Sequence, residues 1–383
     1  MSEIDAHPVA NLGLVAHAYQ PETLSMEALN QSGTFPVFGA NGIIGRHDNF
    51  NHEQPQVVIA CRGNTCGAVN RTLPKSWING NAMVINPHAE KLRKDFLFYV
   101  LEIADYSLVI TGSAQPQIIR DSLYRLRVPL PPLETQQRIA DYLDRETAEI
   151  DAAVADLDKY VELLETRRQL HIDQTFSALL ENWPRAPLGL FFSILNGDRG
   201  VNYPKAEEIA QAGIPFINAG DVTERRVSLS QAKFVSEEKY ESMGGAKLRQ
   251  GDILFCLRGS LGKHGLVDFD GGSVASSLCV LRPKNANTYR SRFLNLYLDS
   301  KFIESEVRFS ENGSAQPNLS ADSLSRFKVP AVSTEQQENV STSLEEMHKE
   351  IDSLIIESTR LRDLILKRRS ILITEVVTGR KQV

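Results

Sequence analysis

Residues 112–154 read GSAQPQIIRDSLYRLRVPLPPLETQQRIADYLDRETAEIDAAV, and residues 313–355 read GSAQPNLSADSLSRFKVPAVSTEQQENVSTSLEEMHKEIDSLI. The two stretches align without a gap, 201 residues apart, and the correspondence extends over 111–180 and 312–381. The inserts that precede the two copies hardly resemble each other. A chain with a repeated frame and diverged inserts presents two different surfaces on one scaffold, which suits a target with two unlike halves.

The second half of each copy is predicted to form one long helix. Residues 133–183 contain neither glycine nor proline, and their apolar side chains follow a heptad. The a and d positions of the first copy are Ala140, Leu143, Thr147, Ile150, Val154, Leu157, Val161 and Leu164. A less regular stripe in the second copy consists of Leu344, Ile351, Ile355, Leu361, Ile365 and Leu372. Helices of about 45 residues are roughly 65–70 Å long. We therefore expect the two to pair with each other, antiparallel and within the chain, and a homodimeric coiled coil is the alternative.

The two inserts are predicted to be mixed α/β. Strand-like runs occur at 57–60, 82–85, 253–257 and 274–281, and helical patterns at 91–105 and 290–309. HPVANLGL at 7–14 parallels WPRAPLGL at 183–190, and Cys61-Arg62-Gly63 parallels Cys256-Leu257-Arg258-Gly259. The inserts are therefore predicted to share a core fold and to differ at their surfaces.

Composition limits the classes of protein to which the chain can belong. Of the 383 residues 42% are hydrophobic and 23% are charged, and no apolar run reaches the roughly 18 residues of a transmembrane helix. The first residues, MSEIDAHPVANLG, lack the basic and apolar regions of a secretory signal. The four cysteines show no metal-binding spacing, which fits a reducing compartment, so a cytoplasmic location is expected.

Charge is distributed unevenly along the chain. The net charge of −6 is concentrated in residues 133–184, which carry 12 acidic and 5 basic side chains, whereas residues 185–332 carry 16 acidic and 19 basic ones. A DNA-binding face on the inserts is therefore compatible with the acidic total.

Motifs of enzyme chemistry are incomplete in this sequence. Asn86-Pro87-His88 lacks the second proline and the aromatic residue of the loop with which amino-methyltransferases grip a flipped adenine. Residues 259–264 have too short a gap for a phosphate-binding P-loop, and Gly39, Gly42 and Gly45 precede a poor helix start for a dinucleotide site. We interpret these segments as turns. The chain is predicted to be a binding protein with no catalytic residues and no metal site.

The chain resembles the DNA-specificity subunit of type I restriction–modification enzymes. The resemblance is carried by GSAQPQI, DSLYRLRVPLPPLETQQRIADYLDRETAEIDAAV and LLETRR with their second copies, and by RGSLGKHGLV in the second insert. Each insert also opens with a Leu-Gly turn after a proline. The second copy departs from the pattern, because PAVSTEQQENVSTSLEE lacks the PPL and the Ile-Ala of the first.

The resemblance implies an α/β (α+β) fold with a pseudo-two-fold internal repeat. Two α/β target-recognition domains would be separated by two long helices forming an antiparallel intramolecular coiled coil. The expected divisions are a first target-recognition domain at 1–132, a first conserved spacer helix at 133–182, a second target-recognition domain at 183–332 and a second spacer helix at 333–383.

The resemblance also implies a function. Each domain would read one half of a bipartite, asymmetric site in double-stranded DNA. The helices would dock two methyltransferase subunits, which methylate an adenine in each half-site, and two restriction subunits would complete a restriction complex. S-adenosylmethionine, ATP and Mg would belong to these partners, so this chain would be non-catalytic and would bind neither cofactor nor membrane.

Candidate DNA-binding residues lie in polar and glycine-rich turns of both inserts. Arg and Lys suit guanine, Asn and Gln suit adenine, and Lys, Arg and Ser suit phosphates. The predicted residues are Asn41, Arg46, His47, Arg62, Asn64, Arg71 and Lys75 in the first insert, and Arg199, Asn202, Tyr203, Lys205, Arg225, Arg226, Arg258, Lys263 and His264 in the second. Gln115 and Gln316 belong to the identical GSAQP segments and are predicted to be structural, at a hinge between domain and helix.

Further alternatives stay open at this stage. Arg167-Arg168 and Arg368-Arg369 are interpreted either as charges that favour a helix end or as contacts to a partner or to phosphate. An autonomous DNA methyltransferase or nuclease is disfavoured by the incomplete motifs. A coiled-coil interaction scaffold without DNA recognition would need only the heptads.

Overall fold

The first insert consists of short strands and two helices. Its elements are β1 (Val9–Asn11), β2 (Ala16–Tyr19), β3 (Phe35–Gly39), β4 (Gly42–His47), β5 (Val57–Ala60), β6 (Val69–Arg71), β7 (Trp77–Ile78), β8 (Ala82–Pro87), α1 (Lys94–Glu102), β9 (Ile110–Thr111), β10 (Gln117–Ile118), α2 (Arg120–Leu123) and β11 (Arg127–Pro129). They form a four-stranded sheet in the order β2-β8-β5-β6, a three-stranded sheet β4-β3-β7, and the pairs β1-β11 and β10-β9. Only the β3–β7 pairing among these is parallel.

The second insert repeats this plan with additions. Its elements are β12 (Arg185–Pro187), α4 (Leu188–Phe191), β13 (Phe192–Asn196), β14 (Ile214–Ile217), β15 (Val222–Thr223), β16 (Arg225–Val227), β17 (Lys233–Val235), α5 (Glu237–Ser242), β18 (Ile253–Cys256), β19 (His264–Leu266), β20 (Ser273–Val274), β21 (Leu278–Pro283), α6 (Ser291–Tyr297), α7 (Lys301–Ser310), α8 (Ala321–Ser325) and β22 (Lys328–Pro330). The sheets run β13-β21-β18-β19-β16-β15, β17-β14-β20 and β12-β22.

Two long helices, α3 (Leu133–Asn182) and α9 (Thr334–Val377), are each shared between two structural units. One unit is Met1–Asp158 with Thr359–Val383, and the other is Lys159–Ser358. The structure is a computed structural model, and it describes residues 7–112, 115–200, 203–223, 225–310 and 318–383. Each unit thus contains one insert and half of each long helix, so the unit boundary lies inside the helices.

The two inserts have the same core pairing, as the sequence predicts. Strand β5 places Val57 opposite Ile85 of β8, and β18 places Ile253 opposite Leu281 of β21, with both partners 196 residues further along. The entry strand of each insert pairs with the strand that leads into a long helix, β1 with β11 and β12 with β22. Parallel partners are also repeated, β3–β7 in one unit and β14–β20 in the other.

Two predicted elements are divided in the structure. The predicted strand at 274–281 is interrupted between β20 and β21, because the chain leaves the sheet of β14 there and enters the sheet of β18. The predicted helix at 290–309 is broken between α6 and α7. The break places Asp299 beside Arg225, whose Nε lies 3.5 Å from the carboxylate.

Each unit has its own hydrophobic core, to which the long helices contribute. In the first unit Phe96 of α1 is packed in one cluster with Leu143 of α3 and Val376 of α9, all fully buried. In the second unit the ring of Phe176 on α3 lies 5.5 Å from Phe293 and 4.9 Å from Tyr297 on α6. Burial of a large apolar side chain contributes about 1.5–3 kcal/mol, so these contacts attach each insert firmly to its helices.

Within each unit the helices pair antiparallel. In the first unit Arg369 contacts Asp151 and Arg362 contacts Asp158, so residue numbers increase along α3 in the direction in which they decrease along α9. In the second unit Arg168 contacts Asp352, and Ile172, further along α3, shares a core cluster with Leu344, which lies earlier on α9.

The helical seam follows the predicted heptad in the first copy. All eight predicted a and d residues of that copy are buried or half-buried. In the second stripe Leu361 is 48% exposed, so its assignment to the seam is wrong. No helix in the described part of the chain is long and apolar enough to cross a membrane.

Candidate nucleic-acid interface

Two buried glutamines attach the inserts to the long helices in the same way. Gln136 of α3 accepts the Arg93 N–H at 2.8 Å and donates to the carbonyls of Lys91 at 2.9 Å and Pro131 at 2.8 Å. Gln337 of α9 accepts the Arg290 N–H at 2.7 Å and donates to the carbonyls of Thr288 at 3.1 Å and Val332 at 3.0 Å. In both units the amide oxygen therefore bonds the residue that precedes a helix of the insert, α1 or α6, where a backbone N–H lacks an intrahelical partner.

An arginine from each insert binds a carboxylate at matching positions of the two long helices. Arg71 contacts Asp144 at 2.7 Å, and its guanidinium lies 4.1 Å from the centre of the Phe98 ring. Arg292 binds Glu345 with two nitrogens, each at 2.6 Å. Asp144 and Glu345 are 201 residues apart, although the arginines come from different elements, β6 and α6. The structure therefore places Arg71, a predicted DNA-binding residue, in a contact within the protein.

Arg225 and His264, two further predicted residues, belong to a polar cluster around the break at Asp299. Arg225 bonds the Nδ1 of His348 at 2.9 Å and adopts a left-handed φ of 63°. His264 is 6% exposed, and its Nε2 lies 3.0 Å from the Asn295 carbonyl and 3.4 Å from Asp299. Both side chains are therefore engaged within the second unit.

His348 in this cluster is held in its neutral form. Burial, with the charges of Arg225 and Arg168, lowers the pKa of His348 from 6.5 to about 4; Asp352 raises it by less, and His171 lowers it slightly. A buried imidazole beside two guanidinium groups cannot easily take a proton, because desolvation and like charge both oppose the cation.

The hairpin of β3 and β4 holds three of the predicted residues. Gly42, with a φ of +97°, makes the tight turn, and Asn41 beside it is exposed. Arg46 donates to the carbonyls of Gly33 and Thr34, each at 2.6 Å. The His47 ring stands edge-on to Trp77, with 5.2 Å between ring centres. The glycine-rich segment is a hairpin turn, as predicted, in which Asn41 and Arg46 are exposed and His47 is half-buried.

Arg62 and Asn64 are exposed in the turn that follows β5, next to the first GSAQP segment. Arg62 forms a bridge with Gln117, and the Gly63 N–H donates to the Pro116 carbonyl at 3.0 Å. Gln115 is exposed beside them, whereas Gln316 lies outside the described residues. Lys75 is also exposed, in a loop where it adopts a φ of 51°.

The remaining predicted residues of the second insert differ in accessibility. Arg199, Lys205, Arg226 and Arg258 are exposed, and Asn202 lies outside the described residues. Tyr203 is half-buried against Phe216, and burial followed by the charge of Asp198 raises its pKa. Lys263 donates to the Ala219 carbonyl at 2.9 Å. Four arginine and lysine side chains of this insert thus face solvent.

The long helices carry an apolar surface that the sequence reading missed. Tyr160, Leu163 and Leu170 on α3 are 42%, 57% and 50% exposed. Their counterparts 201 residues later on α9, Leu361, Leu364 and Ile371, are 48%, 57% and 49% exposed. Spacings of three and seven residues place each trio on one helix face. We call these two trios the outer stripes. The sequence pattern that could have predicted them is the presence of apolar residues at repeat-related positions outside the a and d seam.

Arg167-Arg168 and Arg368-Arg369 make the same contact between the long helices in the two units, and Arg369 also binds Glu102 of α1. Arg168 and Arg369 contact the matched carboxylates Asp352 and Asp151 on the opposite helix, at 2.9 Å and 2.8 Å. Arg167 and Arg368 are exposed beside the outer stripes. Because α3 continues to Asn182, Arg167-Arg168 lie well inside the helix, and the helix-end interpretation of this pair is wrong.

The described residues contain neither a cluster of metal ligands nor an activated thiol. Within those ranges no group of three or more His, Cys, Asp or Glu side chains lies close enough to hold a metal ion. The four cysteines are free, and three of them, Cys61, Cys256 and Cys279, are buried. Burial raises the pKa of each of these three thiols, which suits small core side chains better than nucleophiles.

Comparison with known proteins gives a consistent result over most of the chain. The family model described as type I restriction modification DNA specificity domain matches residues 9–156 and 181–358. The specificity subunit of the type I restriction enzyme EcoBI of Escherichia coli is 23% identical over 308 residues, which cover 72% of this chain and 63% of that protein. The specificity subunit of the type I restriction enzyme MjaVIII of Methanocaldococcus jannaschii is 22% identical over 350 residues, covering 85% of this chain and 79% of that protein.

A solved structure has the same fold at low sequence identity. It was described in work on the structural basis of complex assembly and conformational transition of the type I R-M system. The TM-score is 0.65 at 15% identity, with 98% of this chain and 99% of that chain covered.

Proposed function

This chain belongs to the type I restriction–modification DNA specificity family, and on that premise we propose that it reads a bipartite, asymmetric site in double-stranded DNA and scaffolds two adenine methyltransferase subunits. The proposal is carried by one observation, the repeated frame with unlike inserts. Gln136 and Gln337 attach the two inserts to their helices through the same three bonds, while the inserts differ in sequence. A protein built this way presents two readers in equivalent positions.

The readers in this proposal are two target-recognition domains, at 1–132 and 183–332, and the conserved spacer helices are 133–182 and 333–383. The exposed members of the predicted set are the residues best placed to meet DNA. They are Asn41, Arg46, Arg62, Asn64 and Lys75 in the first domain and Arg199, Lys205, Arg226 and Arg258 in the second. Arg71 is exposed as well, but it is paired with Asp144. Arg71, Arg225 and His264 contribute instead by holding their domains in shape.

The outer stripes support the proposal of two methyltransferase partners. Each stripe exposes three large apolar side chains in a row beside an exposed arginine, Arg167 or Arg368. Exposed apolar side chains grouped on one surface are typical of protein-binding sites. Because the stripes are related by the internal repeat, the same partner surface fits both, which supports two identical subunits. Two restriction subunits would join the same assembly in a restriction complex.

The chemistry in this proposal belongs to the partners. The chain is a non-catalytic subunit that acts in the cytoplasm, with S-adenosylmethionine bound by the methyltransferases and ATP and Mg used by the restriction subunits. Its incomplete methyltransferase and P-loop motifs support this division. The segment 39–45 is a β-hairpin, and 259–263 lie in the turn between β18 and β19, with His264 as the first residue of β19.

The test is co-expression with the methyltransferase subunit encoded by the neighbouring gene, followed by base-modification sequencing of the host DNA. We expect methyl-adenine in both halves of one bipartite motif. Exchange of residues 183–332 for the corresponding domain of another family member should then replace one half of the motif and leave the other. A folded complex that methylates no motif would favour the alternative, a coiled-coil interaction scaffold without DNA recognition.

A further inference from the structure

We infer that Arg62 and Arg258 are equivalent contacts to DNA phosphates, one in each half-site, and that neither of them reads a base. The inference rests on the proposed function and assigns a distinct role to two of the exposed residues in the predicted DNA-binding set. It is drawn from the backbone geometry of two turns, 62–64 and 258–260, which we call the arginine turns.

Both arginine turns are held by the same backbone hydrogen bonds. The Cys61 carbonyl accepts the Ile118 N–H at 3.0 Å, and the Leu257 carbonyl accepts the Leu319 N–H at 2.9 Å. On the other side of the turn Cys61 N–H donates to Asn81 at 3.1 Å, and Leu257 N–H donates to Ser277 at 2.8 Å. Each turn is therefore anchored between the core sheet and the segment that follows a GSAQP motif.

The arginine side chains stand in matching surroundings. Arg62 is bridged antiparallel to Gln117, and Arg258 to Asn318. Residues directly opposite each other in such a pairing have side chains on the same face, with Cβ atoms about 5 Å apart. All four of these residues are exposed. Each turn thus offers one guanidinium and one side-chain amide to the same region of solvent.

Neither guanidinium is engaged by the part of the protein that the structure describes. Across the described ranges no carboxylate lies within 4.0 Å of either one, whereas Arg71, Arg225 and Arg292 are all paired. The next residue in each turn, Gly63 or Gly259, has a φ of 84° or 74°, and a Cβ there would meet no atom of the described residues within 4 Å. The turns are therefore open on the side where a ligand would approach.

The identity of the two turns points to phosphate as the ligand. The two inserts have diverged because each reads a different sequence under the proposed function, yet this arginine is kept in the same place. The sugar–phosphate backbone is the part of DNA that both half-sites share. Arginine suits it, because the planar guanidinium can bond two phosphate oxygens at once, and such contacts position a protein without carrying sequence information.

The test uses the complex of the full chain with its methyltransferase subunit. Binding to a duplex carrying the methylated motif and to a scrambled duplex of equal length is measured from 50 to 200 mM salt, for wild type, Arg62→Ala, Arg258→Ala and the double variant. Each phosphate contact contributes about 0.9 to the slope of log K against log salt. We expect each single variant to lower the slope by about 0.9 and the double by about 1.8, with the same loss on both duplexes and an unchanged motif.

Two control variants separate charge from fold. Arg62→Lys should keep most of the slope, since lysine binds phosphate as a point charge. Arg326→Ala removes an exposed arginine that already pairs with Asp322 at 2.6 Å, and it should leave the slope unchanged.

Three results would overturn the inference. These are an unchanged slope in the alanine variants, a changed base in one half of the methylated motif, which would make the arginine a base reader, or loss of methyltransferase association with DNA binding intact. If the wild-type complex itself shows no salt-dependent, motif-specific binding, the proposed function fails instead, whatever the variants do.

Discussion

The attachment of each insert to its long helix depends on one buried glutamine, and Gln136→Ala is the sharpest test of that idea. The side chain is fully buried and makes three hydrogen bonds to backbone groups of Arg93, Lys91 and Pro131. Alanine would leave one N–H and two carbonyls without a protein partner. A buried backbone group without a partner costs about 1–3 kcal/mol, so we expect a loss of about 3–5 kcal/mol after partial rescue by water.

The neighbouring residue provides a matched control. Gln137 is half-buried, and among the described residues its amide donates only to Asp141 one helical turn away, at 2.5 Å. Such a pair stabilises a helix by about 0.2–0.5 kcal/mol, so Gln137→Ala should be nearly neutral. Gln337→Ala, at the repeat-related position, should cost about as much as Gln136→Ala because its three bonds are the same in kind.

Two measurements on the purified chain decide the outcome. Urea unfolding followed by circular dichroism gives the free energy of unfolding, and amide hydrogen exchange locates the loss, since separate regions of a protein can open independently. Gln136→Ala should speed exchange over 91–102, and Gln337→Ala over 288–297. If Gln136→Ala lies within about 0.5 kcal/mol of Gln137→Ala, or exchange over 91–102 is unchanged, the glutamine does not attach the insert.

Three further predictions concern pH, helix pairing and partner binding. The pKa of His348 falls from 6.5 in the unfolded chain to about 4 in the folded one. The free energy of unfolding should therefore be highest above pH 6.5 and should decrease by about 3 kcal/mol as the pH falls to 4, because the unfolded chain takes up the proton first. Urea unfolding across that pH range measures the decrease, and His348→Gln should reduce the dependence of stability on pH. A double-mutant cycle of Arg369→Ala with Asp151→Ala should give a coupling of about 0.5–1 kcal/mol for this partly exposed pair, and zero coupling would exclude a role in helix pairing. Leu163→Glu or Leu364→Glu should each reduce the methyltransferases bound per chain from two to one in native mass spectrometry, and full binding by the double variant would show that the outer stripes are not the docking surface.

Much of the frame is predictable from sequence because it depends on local periodicity. The heptad from Ala140 to Leu164 predicts the helix and its buried seam, since residues three and four apart share a helix face. Glycine positions such as Gly42 predict the turn, because a left-handed φ suits glycine. The internal repeat shows that both halves have one plan, and Gln136 and Gln337 are visible in it as a matched pair.

The use of each charged side chain is decided by tertiary structure. Arg71 and Arg62 look alike in the sequence, yet Arg71 binds Asp144, 73 residues away, while Arg62 remains free among the described residues. The sequence by itself determined the repeated frame, the two long helices and the family, because these depend on spacing along the chain. Only the folded structure decided which arginines are available to DNA and which apolar side chains stay exposed on the helices, because both depend on contacts between residues far apart in sequence.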